Sequence, residues 1–139
     1  MIILDTNVVS AMMRPSSDER VATWLDKTPR ELLWLTSISI FEVRTGIELL
    51  PKGPKRRTLE QLFDHAVRVS LEGKVLPFDT AAATEAAALT ARRKLSGYPS
   101  EWRDTQIAGV VLARKAQLAT GNVRHFTDLG DAVINPWTT

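Results

Sequence analysis

Apolar residues along this chain fall into two rhythms. Short unbroken runs occur at Met1 to Leu4, Leu32 to Leu35, Val75 to Phe78 (interrupted by Pro77), Leu118 to Ala119 and Ala132 to Ile134. Between them lie longer stretches in which apolar side chains return every three or four positions. The runs are too short for helices and show no polar alternation, so they predict strands buried on both faces. The longer stretches predict helices. Val8, Val9 and Met12 mark one that ends near Met13, where Arg14-Pro15-Ser16-Ser17 breaks it. Asp18 is placed to cap a second helix, with Val21, Trp24 and Leu25 inward and Thr28-Pro29 as its stop. A third opens at Ser39 and buries Val43, Ile47 and Leu50. A fourth runs from Lys55 with Leu59, Leu62, Phe63, Ala66 and Val67 inward.

Glu72-Gly73 turns the chain into the third strand. Asp79 or Thr80 then caps an alanine-rich helix to about Leu95, whose composition gives it high intrinsic helicity. The last helix is expected from Ser100 to Gln117, with Ile107, Ala108, Val111 and Leu112 inside. Strands alternating with helices of this length imply right-handed crossovers and an α/β fold of three layers, α/β/α, around a mostly parallel five-stranded sheet. In such sheets ligands bind beyond the carboxyl ends of the strands, where strand order reverses. Asp5 follows the first strand and Asn122 the fourth, so the two overhang one crevice if those strands are neighbours.

Composition narrows the chemistry. The 139 residues, 44% of them apolar, suit one domain spanning the chain. No cysteine is present, which excludes disulfides, thiolate metal sites and cysteine nucleophiles. No run approaches the roughly 20 residues of a membrane span, and the amino terminus lacks signal-peptide features, so a cytoplasmic protein away from membranes is expected. A net charge of +2 says little about a polyanionic partner. Local clusters say more. Lys52, Lys55, Arg56 and Arg57 form one basic group, and Arg92, Arg93 and Lys94 another. Either could touch phosphate or simply be solvated.

Three acids carry the candidate chemistry. Asp5 ends the first strand, where it is either a helix cap or one of several converging carboxylates. Glu42 lies three residues after Ser39, the spacing of a capping box, while Gly46 leaves open space one turn on. If Ser100 caps the last helix, Asp104 stands in its second turn in line with Ala108 and Val111, a costly place for an unpaired acid. Carboxylates within about 4 Å repel by about 4 kcal/mol per pair at an effective dielectric near 20, so a cluster needs a cation. His65 and His125 read as surface or structural residues.

The chain resembles PIN-domain ribonucleases of the VapC toxin type, FitB-like branch. The resemblance rests on Ile-Leu-Asp-Thr-Asn at 3 to 7, Thr-Ser-Ile-Ser-Ile-Phe-Glu-Val-Arg-Thr-Gly at 36 to 46 and Val-Leu-Pro-Phe-Asp at 75 to 79. It continues in Asp-Thr-Gln-Ile-Ala at 104 to 108, Ala-Thr-Gly-Asn-Val-Arg-His-Phe at 119 to 126 and Ile-Asn-Pro-Trp at 134 to 137. It implies a PIN-like fold and a metal-dependent endoribonuclease, the toxin of a type II toxin–antitoxin pair. Asp5, Glu42 and Asp104 would hold Mg²⁺ or Mn²⁺, the cations that hard oxygen ligands select. Thr6, Asn7, Thr120 and Asn122 would support that shell, and Lys55, Arg56, Arg57 and Arg93 are candidate contacts to RNA phosphates. The family often has Asp where this chain has Asn122, and usually Arg where it has Gly121.

The resemblance further implies a homodimer and a small antitoxin lying across the active-site groove, through which operator DNA would be reached indirectly. A weakly active PIN-like subunit that pairs with a DNA-binding antitoxin in autoregulation is the other reading. An aspartyl-phosphate hydrolase would also place Asp after a first buried strand, but such enzymes need a second Asp two residues on, and this chain has Asn7 there.

Overall fold

The computed structural model describes residues 1–14, 16, 18–98 and 101–139. Five strands form one sheet in the order β3-β2-β1-β4-β5, every neighbouring pair parallel. The strands are β1 (Ile2–Leu4), β2 (Leu33–Thr36), β3 (Val75–Leu76), β4 (Gln117–Ala119) and β5 (Val133–Ile134). The helices are α1 (Thr6–Met12), α2 (Glu19–Lys27), α3 (Ser37–Glu48), α4 (Pro54–His65), α5 (Thr80–Leu95) and α6 (Trp102–Arg114). Pro54 suits the first turn of α4, where its missing N–H is no loss. The helix continues as a π-helical stretch, Ala66–Ser70.

Side chains on a strand alternate between faces, and the core divides accordingly. Ile2 and Leu4 of β1 join Leu33, Leu35, Val8, Val9, Ile47 and Phe63 in one cluster. Ile3 points the other way and joins Leu118, Ile107, Val111 and Leu89 in the second. Helices α1 to α4 thus cover one face and α5 and α6 the other. Sequence reversal falls between β1 and β4, whose register pairs Leu4 with Ala119. Asp5 and Thr120 therefore leave adjacent strands side by side.

Helices α5 and α6 touch through small residues. A Cβ at Gly109 would lie 2.6 Å from the Ala82 carbonyl oxygen and 2.7 Å from the Ala86 Cβ, so glycine alone permits this approach. Ala82, Ala86, Leu89 and Arg93 form the buried stripe of α5.

Several expected boundaries move. Helix α3 starts at Ser37, not Ser39, because Thr36 supplies the cap, its hydroxyl accepting the Ser39 N–H at 3.2 Å. Ser100 lies outside the described residues, and Glu101 caps α6, its carboxylate accepting the N–H groups of Arg103 and Asp104. Helix α6 stops at Arg114, since Lys115 turns left-handed (φ 52°) and frees Gln117 to bond the Met1 carbonyl. Asp18 occupies the cap position of α2 without a capping bond, because its carboxylate accepts the Trp137 indole N–H. Leu62 remains 38% exposed rather than inward. Among the described residues no helix is long and apolar enough to cross a membrane.

Candidate active site

The carboxyl end of β1 delivers Asp5 into the interior, where it is 3% exposed. One carboxylate oxygen accepts the Thr6 N–H at 2.8 Å. The other accepts the Thr120 hydroxyl at 2.7 Å and the Asn7 side-chain amide at 3.1 Å. Asn7 also approaches the Thr120 hydroxyl (3.3 Å) and accepts the Gly121 N–H (3.2 Å), tying the β1 and β4 exits together. Every donor to Asp5 is neutral. Its pKa is pushed up from 3.8 to about 6: burial is the main cause, the charges of Asp104 and Glu42 add to it, and the hydrogen bonds from Thr120 and Thr6 oppose it. Three acids from distant parts of the chain thus act on one point.

Glu42 reaches the same point through Thr6. The Thr6 hydroxyl donates to Glu42 Oε1 at 2.7 Å and lies 2.8 Å from the Ser39 hydroxyl. With α3 beginning at Ser37, Glu42 sits in the second turn, and the capping-box explanation for it falls away. Gly46, on the same face, has open space beside it.

Asp104 differs from expectation in the opposite sense. It stands in the first turn of α6, its N–H bonded to Glu101, so its position has a helix-end rationale that the Ser100 register did not offer. Its side chain is still only 16% exposed, and its Oδ2 accepts the His125 Nδ1–H at 2.9 Å. No local pattern signals that contact, because His125 follows β4 while Asp104 opens α6. Arg103 spans toward Glu42 at 3.9 Å.

The three acids do not meet as a finished shell. Among the described residues no three His, Asp or Glu side chains are grouped to hold a metal ion. Thr6 stands between Asp5 and Glu42, and His125 holds Asp104. The donor set nevertheless fits a hard divalent cation: carboxylate and hydroxyl oxygens, and a buried Asp5 whose ionised form is penalised and would gain from positive charge.

The supporting residues separate into groups. Thr6, Asn7 and Thr120 all contact the acids or one another. Asn122 is exposed and joins through its backbone N–H, which donates to the Thr120 hydroxyl at 3.0 Å. The glycine at 121 has a local cause: a Cβ there would meet the Trp137 ring at 2.9 Å, so the carboxyl-terminal tail fills the space a larger residue would need.

Two of the four basic candidates are committed elsewhere. Arg93 is 1% exposed, forks onto Asp128 with two 2.8 Å bonds and donates to the Thr105 hydroxyl and the His125 carbonyl, so it cannot be a phosphate contact. Arg56 bonds Glu48, Glu60 and the Leu50 carbonyl, which makes it a clamp between α3 and α4. Arg57 is exposed. Lys55 lines a groove of about 720 Å³ that runs from Thr6 and Glu42 past Gly46 to Leu59 and Leu62.

The PIN domain family matches residues 2–131. The chain is 36% identical over 137 residues to the VapC ribonuclease Y4jK of Sinorhizobium fredii, covering 99% of this chain and 98% of that protein. It is 34% identical over 137 residues to the toxin FitB of Neisseria gonorrhoeae, covering 99% of each. It also superposes on the structure of FitAB bound to an IR36 DNA fragment with a TM-score of 0.88 at 34% identity, covering 99% of this chain and 96% of that one.

Proposed function

The chain belongs to the PIN domain family, and from that premise we propose that it is a divalent-cation-dependent endoribonuclease, the toxin of a toxin–antitoxin pair. The observation that carries this reading is the buried Asp5 carboxylate, surrounded by neutral donors and raised in pKa partly by two other acids. Asp5, Glu42 and Asp104 would hold Mg²⁺ or Mn²⁺. A bound cation of this kind neutralises charge developing on a phosphodiester and orients the attacking water.

The chain's own residues do the positioning. Thr120 and Asn7 fix one oxygen of Asp5 and keep its carboxylate from rotating. Thr6 holds Glu42 by its hydroxyl and Asp5 by its N–H, coupling the two acids through one residue. Lys55, at the groove wall, and the exposed Arg57 are placed to contact RNA phosphates.

The groove from Glu42 to Leu62 supports a protein partner as well. Its lining mixes Val43, Ile47, Leu50, Leu59 and Leu62 with the site's own Thr6 and Glu42, which suits an antitoxin segment with an apolar face. The relative in the FitAB structure is bound to a DNA fragment. By likeness, operator DNA would be reached here through the antitoxin, with the toxin as a cytoplasmic homodimer of single nuclease domains.

The test is cleavage of RNA by purified, partner-free protein with Mg²⁺, with Mn²⁺ and with chelator. Divalent-dependent cleavage that Asp5→Asn loses is the expected result. The ungrouped acids favour a second reading: a weakly active subunit that serves mainly as the antitoxin's partner. Absence of cleavage under every metal condition, with intact antitoxin binding, would select it.

A further inference from the structure

A second polar cluster lies behind the site. The stripe of α5 that buries Ala82, Ala86 and Leu89 carries Arg93 as its next member, so a guanidinium enters the core. It lies 4.8 Å from the Tyr98 ring centre and 6.0 Å from that of Phe126. Each nitrogen has work: Nε and Nη2 grip the two oxygens of Asp128 at 2.8 Å, Nη1 donates to the Thr105 hydroxyl at 3.0 Å, and Nη2 also donates to the His125 carbonyl at 3.1 Å. Asp128 and His125 belong to the short helical turns after β4, Val123–His125 and Thr127–Ala132. Tyr98 closes the turn from outside, its hydroxyl donating to the Arg124 carbonyl at 2.9 Å. Thr105, meanwhile, follows Asp104 on α6. Arg93 therefore holds both the backbone that presents His125 and the helix turn that presents Asp104.

We infer that Arg93 and His125 form a positioning relay for Asp104, in which the buried guanidinium fixes the turn at 123–128 and the turn's imidazole fixes the orientation of the Asp104 carboxylate. The inference rests on the reading of Asp104 as a cation ligand. Because a carboxylate only accepts, the 2.9 Å contact to Asp104 Oδ2 requires the Nδ1–H form of the ring. It holds Oδ2 and makes no hydrogen bond to Oδ1, and hydrogen bonds of this kind keep carboxylates aimed at a metal. Arg93 touches none of the reacting groups. In the relay its effect passes through the His125 carbonyl and the turn that carries the imidazole.

Three full-length proteins test this: His125→Ala, Arg93→Lys and the double variant. Mn²⁺ binding is measured by calorimetry, the ring tautomer by NMR of the metal-free protein, and folding by thermal melting. His125→Ala should weaken Mn²⁺ binding by about 10- to 100-fold, the range for groups that support metal ligands, while the metal-free melting temperature stays near wild type. Lysine cannot grip Asp128 and the His125 carbonyl together, so Arg93→Lys should melt lower, lose the Nδ1–H preference of His125 and weaken Mn²⁺ binding to a similar degree. The double variant should bind Mn²⁺ no worse than His125→Ala alone, since both changes break one relay.

Wild-type Mn²⁺ affinity in His125→Ala, or losses that multiply in the double variant, would overturn the relay. So would an unchanged His125 tautomer in Arg93→Lys, a readout independent of any metal. A wild-type protein that keeps the tautomer yet binds no Mn²⁺ would instead defeat the cation reading of Asp104, and with it the purpose assigned to the relay.

Discussion

Among the described residues this protein buries charge in two places and treats it in opposite ways. Arg93 is fully paired: Asp128 takes two of its bonds, a hydroxyl and a carbonyl take the others, and the Arg93 hydrogen bonds and charge hold the Asp128 pKa below its ordinary value. Asp5 receives hydrogen bonds but no opposite charge, and its pKa is driven up to about 6. A fold selected for stability alone would treat both alike. The ion left without a counter-charge is the one beside the strand ends, where a ligand can supply it.

The largest expected effect comes from neutralising the unpaired member. Asp5→Asn should reduce RNA cleavage to background and also raise the metal-free melting temperature at pH 8. The sign follows from linkage. An acid whose folded pKa exceeds its unfolded value destabilises the fold once ionised; the penalty is absent below about pH 4 and complete above about pH 6. Two pKa units correspond to roughly 3 kcal/mol at most. A variant that melts at or below wild type across this range would mean that Asp5 is compensated after all.

Breaking the paired cluster should act in the other direction. Arg93→Met leaves the Asp128 carboxylate without its partner and should cost roughly 3 kcal/mol, read as a lower midpoint in urea unfolding. Because the folded pKa of Asp128 is lowered, its contribution is complete above the ordinary carboxylate pKa and fades as pH falls through the folded value. Wild type should therefore lose its advantage over Arg93→Met in acid. A difference that grows on acidification would contradict the pairing.

Metal addition sharpens the contrast by about the same amount. Mn²⁺ at about 100 times its Kd should stabilise wild type by about 2.7 kcal/mol through mass action, and Asp5→Asn by much less. Equal shifts in the two proteins would place the ion elsewhere.

The smallest effects concern the basic loop. Replacing Lys55 and Arg57 by Ala should lower the salt slope of RNA binding by about 1.4, roughly 0.7 per phosphate contact on a single strand. Arg56→Ala should leave that slope unchanged and lower the melting temperature only slightly, because its exposed acid partners gain little from pairing. The reverse pattern would exchange the roles of clamp and contact.

The strands and their companions were legible because an unbroken apolar run admits few alternatives, and Asp5 follows directly from where the first run ends. Glu42 was obscured by one misplaced cap. Thr36 and Ser39 are both good cap residues, and only the end of β2 decides between them. The turn in which Asp104 stands differs from expectation for a similar reason, since Glu101 caps the helix.

Arg93 was readable and was missed. It continues the spacing of Ala82, Ala86 and Leu89, so periodicity pointed inward while the neighbouring Arg92 and Lys94 suggested a solvated run. The His125 contact was not readable at all. It depends on how the turns after β4 lie against α6, a tertiary relation without local signature. The ungrouped state of the acids likewise depends on Thr6 bridging Asp5 and Glu42 and on His125 holding Asp104, which spacing along the chain does not encode.

The close seat of Gly109 against Ala82 and Ala86 has a mechanical consequence. With no side chain between them, α5 and α6 behave as a single beam, and Arg93, bonded to Thr105, rides with Asp104 near the same end of it. A methyl added at position 109 would act as a wedge at the fulcrum, turning a displacement of tenths of an ångström there into a larger swing where the carboxylate sits. The alignment of the candidate site is thus exposed to damage from a residue that lies outside it.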